Sequence, residues 1–104
     1  MSVQLRPPDV NDPLMQSAIA EMEKIILDAF PGTVFTIEHG DDPVGVYLVA
    51  TVDVDDTDAV EDLYVDRLVD LQLEHGLRLH VLPLRTPERI AALLEANRPA
   101  VTQE

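Results

Sequence analysis

Cysteine and tryptophan are absent from the 104-residue sequence. The missing thiols exclude disulfides, thiolate zinc sites, iron–sulfur ligation and cysteine nucleophiles. Serine occurs only as Ser2 and Ser17, and neither is flanked by the glycines of a nucleophile elbow. The four glycines are scattered, so no glycine-rich phosphate loop is present. The sequence therefore carries none of the common motifs of nucleophilic catalysis or nucleotide binding, and a non-enzymatic role is expected.

Basic residues are also scarce, because one lysine and six arginines face 20 acids, for a net charge of −13. Nucleic-acid binding and attachment to anionic membranes both depend on clustered Lys and Arg. We therefore expect neither partner, whereas cations and basic proteins remain compatible with the charge. No apolar run approaches the ~20 residues that span a bilayer, and no secretory signal pattern is found. A cytoplasmic protein is expected.

Apolar periodicity and turn residues predict three helices and three strands. Asp12 and Pro13 mark the start of the first helix, and Gly76 marks the end of the second. The predicted elements are a helix from 13 to about 30, strands at 33–40 and 44–54, a helix at 58–75, a strand at 77–85, and a helix capped by Thr86. The sequence thus has the order αββαβα.

This order predicts a single small α+β domain with a mixed three-stranded sheet and helices packed on it. The first two strands form an antiparallel hairpin, and a strand–helix–strand connection normally joins parallel strands. Pro83 restricts the third strand to an edge. Residues 1–11 are predicted to be an extended or mobile arm, 12–98 the domain, and 99–104 a tail.

The second strand is apolar on both of its faces, which is typical of a central or doubly covered strand. The alternating sets are Val46, Leu48, Ala50 and Val52 on one face and Tyr47, Val49 and Thr51 on the other. One helical layer covers only one of these faces. We expect the second face to be closed by the third helix or by a second subunit, and a homodimer is the favoured interpretation.

The second helix carries carboxylates at i, i+4 spacing along its polar side. They are Asp62, Asp66, Asp70 and Glu74, called here the acidic ridge. Like charges at this spacing destabilise a helix by a few tenths of a kcal/mol per pair, so solvation alone does not require the arrangement. The ridge is a candidate docking surface for a basic partner, and the alternative is a solvated face that serves solubility.

Asp53 and Asp55 form a D-x-D pair at the end of the second strand, which is a candidate divalent-cation site. The spacing excludes an EF-hand, because position 6 of the loop would be Asp58 and position 12 would be Tyr64. The pair resembles the Mg²⁺ ligands of nucleotidyltransferase-like folds, but the Gly-Ser turn of those folds is missing. A degenerate relative of that class is the enzymatic alternative. Asp58 and Glu61 are attributed to capping of the second helix.

Three functions are consistent with these features. The favoured interpretation is a non-enzymatic acidic domain that works through protein–protein contacts, with no cofactor. The first alternative is a divalent-cation or degenerate phosphoryl-transfer site at Asp53 and Asp55. The second alternative is an acidic mimic of nucleic acid that competes for a basic protein surface.

Overall fold

The computed structural model describes residues 9–41 and 43–96. The helices and strands are α1 (Pro13–Ala29), β1 (Val34–Asp41), β2 (Val44–Val52), α2 (Asp58–His75), β3 (Leu79–Arg85) and α3 (Pro87–Ala96). These bounds confirm the α+β class and the αββαβα order. Most of the predicted arm at 1–11 and the whole predicted tail at 99–104 lie outside the described residues. Val10, at the end of that arm, packs against the core.

The sheet has the order β1-β2-β3, so β2 is the central strand, as its double apolar pattern predicts. β1 pairs with β2 in antiparallel register, with Ile37 opposite Leu48. β2 pairs with β3 in parallel register, with Leu48 opposite Val81. β3 is an edge strand, which agrees with the position of Pro83. The mixed three-stranded sheet is therefore confirmed, and the strand order is now defined.

The predicted ends of three helices are confirmed by their local geometry. The Asp12 carboxylate accepts a hydrogen bond from the Leu14 N–H at 3.0 Å, which satisfies one of the free donors at the start of α1. The Thr86 hydroxyl accepts one from the Arg89 N–H at 3.1 Å in the same way. Gly76 ends α2 in the left-handed conformation, with a φ of 60°, which glycine adopts without steric cost.

The start of α2 differs from the prediction that Asp58 and Glu61 form a reciprocal cap. Asp58 is the first helical residue, and Thr57 occupies the cap position without a side-chain hydrogen bond. The Asp56 carboxylate instead accepts the Asp58 N–H at 2.9 Å. Asp58 and Glu61 both lie in the first turn, where a negative charge is stabilised by the helix dipole. A reciprocal cap would require Asp58 at the cap position, but the helix starts one residue earlier, with Thr57 at that position. The Asp56 carboxylate therefore binds the Asp58 N–H instead.

The core lies between the sheet and the helices α1 and α2. Its fully buried side chains include Met15, Met22 and Ile26 of α1, Val46, Leu48 and Val52 of β2, Val60 of α2 and Leu79 of β3. Tyr64 of α2 is also buried, and its hydroxyl donates to the Val81 carbonyl at 3.4 Å. Burial, with a smaller contribution from Glu61, raises the pKa of Tyr64. This core covers β2 and β3 on one face of the sheet, whereas Ile37 of β1, on the same face, is 47% exposed.

Candidate functional site

Within residues 9–41 and 43–96, no helix packs on the second face of the sheet. Six residues on this side are called the open face: Val34 and Thr36 of β1, Val49 and Thr51 of β2, and Leu82 and Leu84 of β3; the same side continues with Glu38, Tyr47 and His80. Residues paired across strands lie on the same side of a sheet, so these six form one continuous surface. Val34 is 61% exposed, Leu82 44% and Leu84 43%, whereas Val49, in the middle, is buried by its neighbours on the two outer strands. The open face is mostly apolar and carries no charged residue among these six.

α3 does not close the open face. Among the described residues of this helix, 87–96, none is buried. Ile90 is 44% exposed and Leu94 69% exposed, although both belong to the apolar side of an amphipathic helix. The interpretation that the third helix covers the second sheet face is therefore wrong for this chain in isolation. The described part of the chain therefore exposes two apolar surfaces, one on the sheet and one on the helix.

The predicted D-x-D pair converges on an arginine of α3. The Arg89 Nε lies 2.8 Å from the Asp53 Oδ1, and its Nη1 lies 3.0 Å from the Asp55 Oδ1. The Thr86 hydroxyl is 3.4 Å from the same Asp53 oxygen, and the Arg85 Nε donates to the Asp55 carbonyl at 2.6 Å. We call the two ion pairs of Arg89 the Arg89 clamp. It joins the first turn of α3 to the loop that follows β2.

The Arg89 clamp lowers the pKa of Asp53. The hydrogen bond from Arg89 stabilises the carboxylate and holds the pKa of Asp53 below its ordinary value, against a smaller effect of desolvation. A group with a depressed pKa stabilises the fold at pH values above its unfolded-state pKa, and this contribution is lost as the pH falls through the folded-state value. The clamp is therefore expected to weaken below about pH 4.

Replacement of Arg89 by glutamine is expected to raise the pKa of Asp53 towards its ordinary value, because the charged hydrogen-bond donor is removed. Carboxyl carbon chemical shifts followed by NMR across an acid titration measure this directly. Arg67→Gln is the matched control, since Arg67 pairs with Glu21 of α1 and should leave the titration of Asp53 unchanged. An Asp53 pKa that is the same with and without Arg89 would contradict the clamp.

A cation at Asp53 and Asp55 would have to replace the Arg89 guanidinium. Among the residues that the structure describes, no group of three or more His, Cys, Asp or Glu side chains is arranged to hold a metal ion. The cation hypothesis also allows a third ligand from Asp56 or His80. His80 pairs with Tyr47 and lies five positions before the end of β3, roughly 16 Å along the strand. The Asp56 carboxylate is engaged by the Asp58 N–H. The divalent-cation site stays a prediction.

The acidic ridge lies on the side of α2 that faces away from the sheet. Asp62, Asp66, Asp70 and Glu74 are all exposed, while the opposite side of the helix is buried through Val60, Tyr64, Leu68 and Leu71. Arg67 extends towards α1, where it forms a two-point ion pair with Glu21. The ridge thus remains strongly negative, and its docking role stays a prediction. The nucleic-acid mimic predicts that the ridge is continuous with Asp41 and Asp42 on the surface, and Asp42 lies outside the described ranges.

An aromatic pair borders the open face at its other end. The rings of Tyr47 and His80 lie 4.8 Å apart, and the Tyr47 hydroxyl donates to the Pro43 carbonyl at 2.6 Å. The His80 Nε2 is buried without a hydrogen-bond partner. That nitrogen lies close to Gly45, and His80 also lines a surface pocket together with Gln72 and Arg78.

Comparison of the chain with protein-family models, with curated proteins and with solved structures finds no match. Within residues 9–41 and 43–96, no helix is both long enough and apolar enough to cross a membrane. The fold and its surfaces therefore define the class of protein only as a small α+β domain with an uncovered apolar sheet face, and the functional argument depends on that geometry.

Some residues of the open face could be predicted from the sequence. The double apolar pattern of β2 identified Val49 and Thr51, but the contributions of Val34, Leu82 and Leu84 depend on strand register, which the sequence does not define. Leu82 and Leu84 flank Pro83 at alternate positions, and this alternation is the sequence feature that could have placed both leucines on one face of the third strand. No local pattern linked Asp53 to Arg89, because the two residues are 36 positions apart.

Proposed function

We propose that this protein is a non-enzymatic interaction domain that self-associates through its open face. The observation that supports the proposal is the exposure of Val34, Leu82 and Leu84 on one continuous sheet surface. Soluble monomers rarely leave large contiguous apolar patches in water, and such patches commonly mark interaction sites. Complete burial of a fully exposed side chain of this size contributes about 1.5–3 kcal/mol, and these three, which are about half exposed, would each contribute roughly half of that to a contact.

The charge distribution supports this choice of surface. Two copies of a chain with a net charge of −13 repel each other, and the repulsion is smallest where charges are fewest and most distant. The six residues of the open face are uncharged, although Glu38 lies beside them on the same side of the sheet, while the acidic ridge lies on the opposite side of the helical layer. Contact through the open face keeps the two ridges far apart and leaves both of them accessible to a basic partner.

Replacement of Leu82 by glutamate is expected to weaken self-association by about 100-fold or more. In a symmetric dimer the change occurs twice, and placing an unpaired carboxylate in the contact costs at least about 1.5 kcal/mol each time, so the two costs together correspond to that factor. Sedimentation equilibrium at tens of micromolar measures the effect. Leu73→Glu is the matched control, because Leu73 is 75% exposed on α2 and lies outside the open face. A wild-type chain that is monomeric at this concentration would refute the proposal.

A further inference from the structure

We infer that the pocket lined by Arg78 and His80 binds a small monocarboxylate with an apolar body. The pocket has a volume of about 400 Å³ and lies where β2 and β3 begin and α2 ends, at the other end of the strands from the Arg89 clamp. Its lining residues are Pro43, Val44, Gln72, Leu77, Arg78 and His80. None of them belongs to the open face, so the inference does not depend on self-association.

Arg78 differs from the other basic residues of the described chain because it has no acceptor. The other four, Lys24, Arg67, Arg85 and Arg89, each donate to a carboxylate or to a backbone carbonyl. Within residues 9–41 and 43–96, the Arg78 side chain makes no hydrogen bond or ion pair, although acids outnumber bases by 20 to 7 in the sequence. Its guanidinium is therefore available to a carboxylate from another molecule.

Two buried side-chain nitrogens lack a hydrogen-bond partner among the described residues, and both belong to residues that line this pocket. They are the Arg78 Nε and the His80 Nε2. Buried polar atoms are normally paired, so a pair of orphans around one pocket requires an explanation. Burial of the Nε holds the stem of Arg78 against the domain, while its two terminal amino groups are not buried and remain available as donors. Two such parallel donors match the two oxygens of a carboxylate.

The walls of the pocket are held in place by contacts within the domain. A β-carbon at Gly45 would lie 2.7 Å from the His80 Cδ2, so only glycine leaves room for the imidazole in its present position. The Tyr47 ring packs against the same imidazole, with the ring centres 4.8 Å apart. On the helical side, the Gln72 amide donates to the Leu79 carbonyl at 2.8 Å. Walls that are ordered in advance lower the cost of binding a ligand.

The class of ligand follows from the surroundings of Arg78. Pro43, Val44 and Leu77 give the pocket an apolar lining, which suits a hydrocarbon or aromatic group, and its volume lies within the ~300–1,000 Å³ of small-molecule sites. The negative end of the α2 dipole is adjacent, and the chain carries a net charge of −13. Both effects disfavour a doubly charged phosphate more than a singly charged carboxylate.

Titration of the ¹⁵N-labelled full-length chain with sodium benzoate tests the inference. The NMR signals of the Arg78 Nε–H and the Gly45 amide are expected to shift in a saturable way, with a dissociation constant of roughly 1 mM. Arg78→Gln is expected to weaken binding by about 10-fold or more, because the charged donors are lost. Arg67→Gln is the matched control, since Arg67 is already paired with Glu21, and it should leave binding unchanged.

Val44→Glu is a second test that leaves Arg78 in place. Val44 is 42% exposed, so the change spares the core, and the added carboxylate repels the ligand and competes for the guanidinium. Benzoate binding should again fall by about 10-fold or more. Should Arg78→Gln fail to fold, this variant decides the question, and unchanged binding by it would overturn the inference.

Two further ligands test whether the pocket recognises a carboxylate with an apolar body. Benzamide, which has the shape of benzoate without its charge, and inorganic phosphate, which has charge without an apolar body, are both expected to bind at least about 10-fold more weakly. Equal binding of either ligand would refute the proposed class. The absence of any saturable shift with benzoate at roughly tens of millimolar would remove the site itself.

Discussion

Leu48→Ala is expected to lower the free energy of unfolding by about 3 kcal/mol. Leu48 lies at the centre of β2 with its side chain fully buried, between Ile37 on one neighbouring strand and Val81 on the other. Its removal loses apolar burial and leaves a cavity beneath α1 and α2, which the strand cannot fill because it is paired on both sides. Domains of this size are stable by only about 5–15 kcal/mol, so the loss is a large fraction of the total.

Urea denaturation followed by circular dichroism measures this change through the midpoint of unfolding. Ile37→Ala is the matched control, since Ile37 pairs with Leu48 on the same face but is 47% exposed. It should cost about half as much or less, because a side chain at the uncovered margin of β1 leaves little cavity. Equal losses at the two positions would show that the helices cover β1 as fully as β2.

Gly45→Ala is expected to destabilise the fold by about 1–3 kcal/mol. A β-carbon at Gly45 would lie 2.8 Å from the Arg78 carbonyl oxygen and 2.7 Å from the His80 Cδ2. The carbonyl cannot move freely, because it accepts the Val46 N–H at 2.9 Å and holds the first residue pair between β2 and β3 in place. The glycine is required here by close approach of the neighbouring strand.

Gly40→Ala provides the comparison for Gly45→Ala. A β-carbon at Gly40 would collide only with the ring of Tyr47, which is a side chain and can rotate once its hydrogen bond to the Pro43 carbonyl is lost. Truncation of Tyr47 to alanine should therefore relieve the cost of Gly40→Ala. Truncation of His80 should relieve Gly45→Ala only in part, because the Arg78 carbonyl remains. Thermal melting of the two double variants distinguishes these outcomes.

The helices could be predicted from the sequence because their signals are local. Asp12, Thr86 and Gly76 act on neighbouring backbone groups within one turn, so the residues that determine each helix end lie side by side in the sequence. The start of α2 was less predictable because three aspartates, at 55, 56 and 58, lie close enough to it to accept a hydrogen bond from the first helical N–H groups. Which of them does so depends on the geometry of the loop, and in the structure it is Asp56.

The surfaces that define the candidate site depend on contacts between distant segments. The sequence showed that β2 had two apolar faces, but it did not show which one α1 and α2 would cover or that Leu82 and Leu84 would join the other. The same limit applies to Asp53 and Asp55. Two adjacent carboxylates suggest a cation site, and the guanidinium that occupies them is contributed by α3, more than 30 positions later.

The parallel pairing of β2 and β3 has a consequence for synthesis of the chain. Val46 pairs with Leu79, so the β1–β2 hairpin leaves the ribosome well before its third strand exists. Until then the free edge of β2, a proline-free apolar segment, is the kind of strand that pairs with other chains and aggregates. Asp53, Asp55, Asp56 and Asp58 follow immediately, and charges beside an apolar strand act as gatekeepers against aggregation. By this principle these carboxylates would protect the nascent chain before Arg89 has been translated to bind two of them.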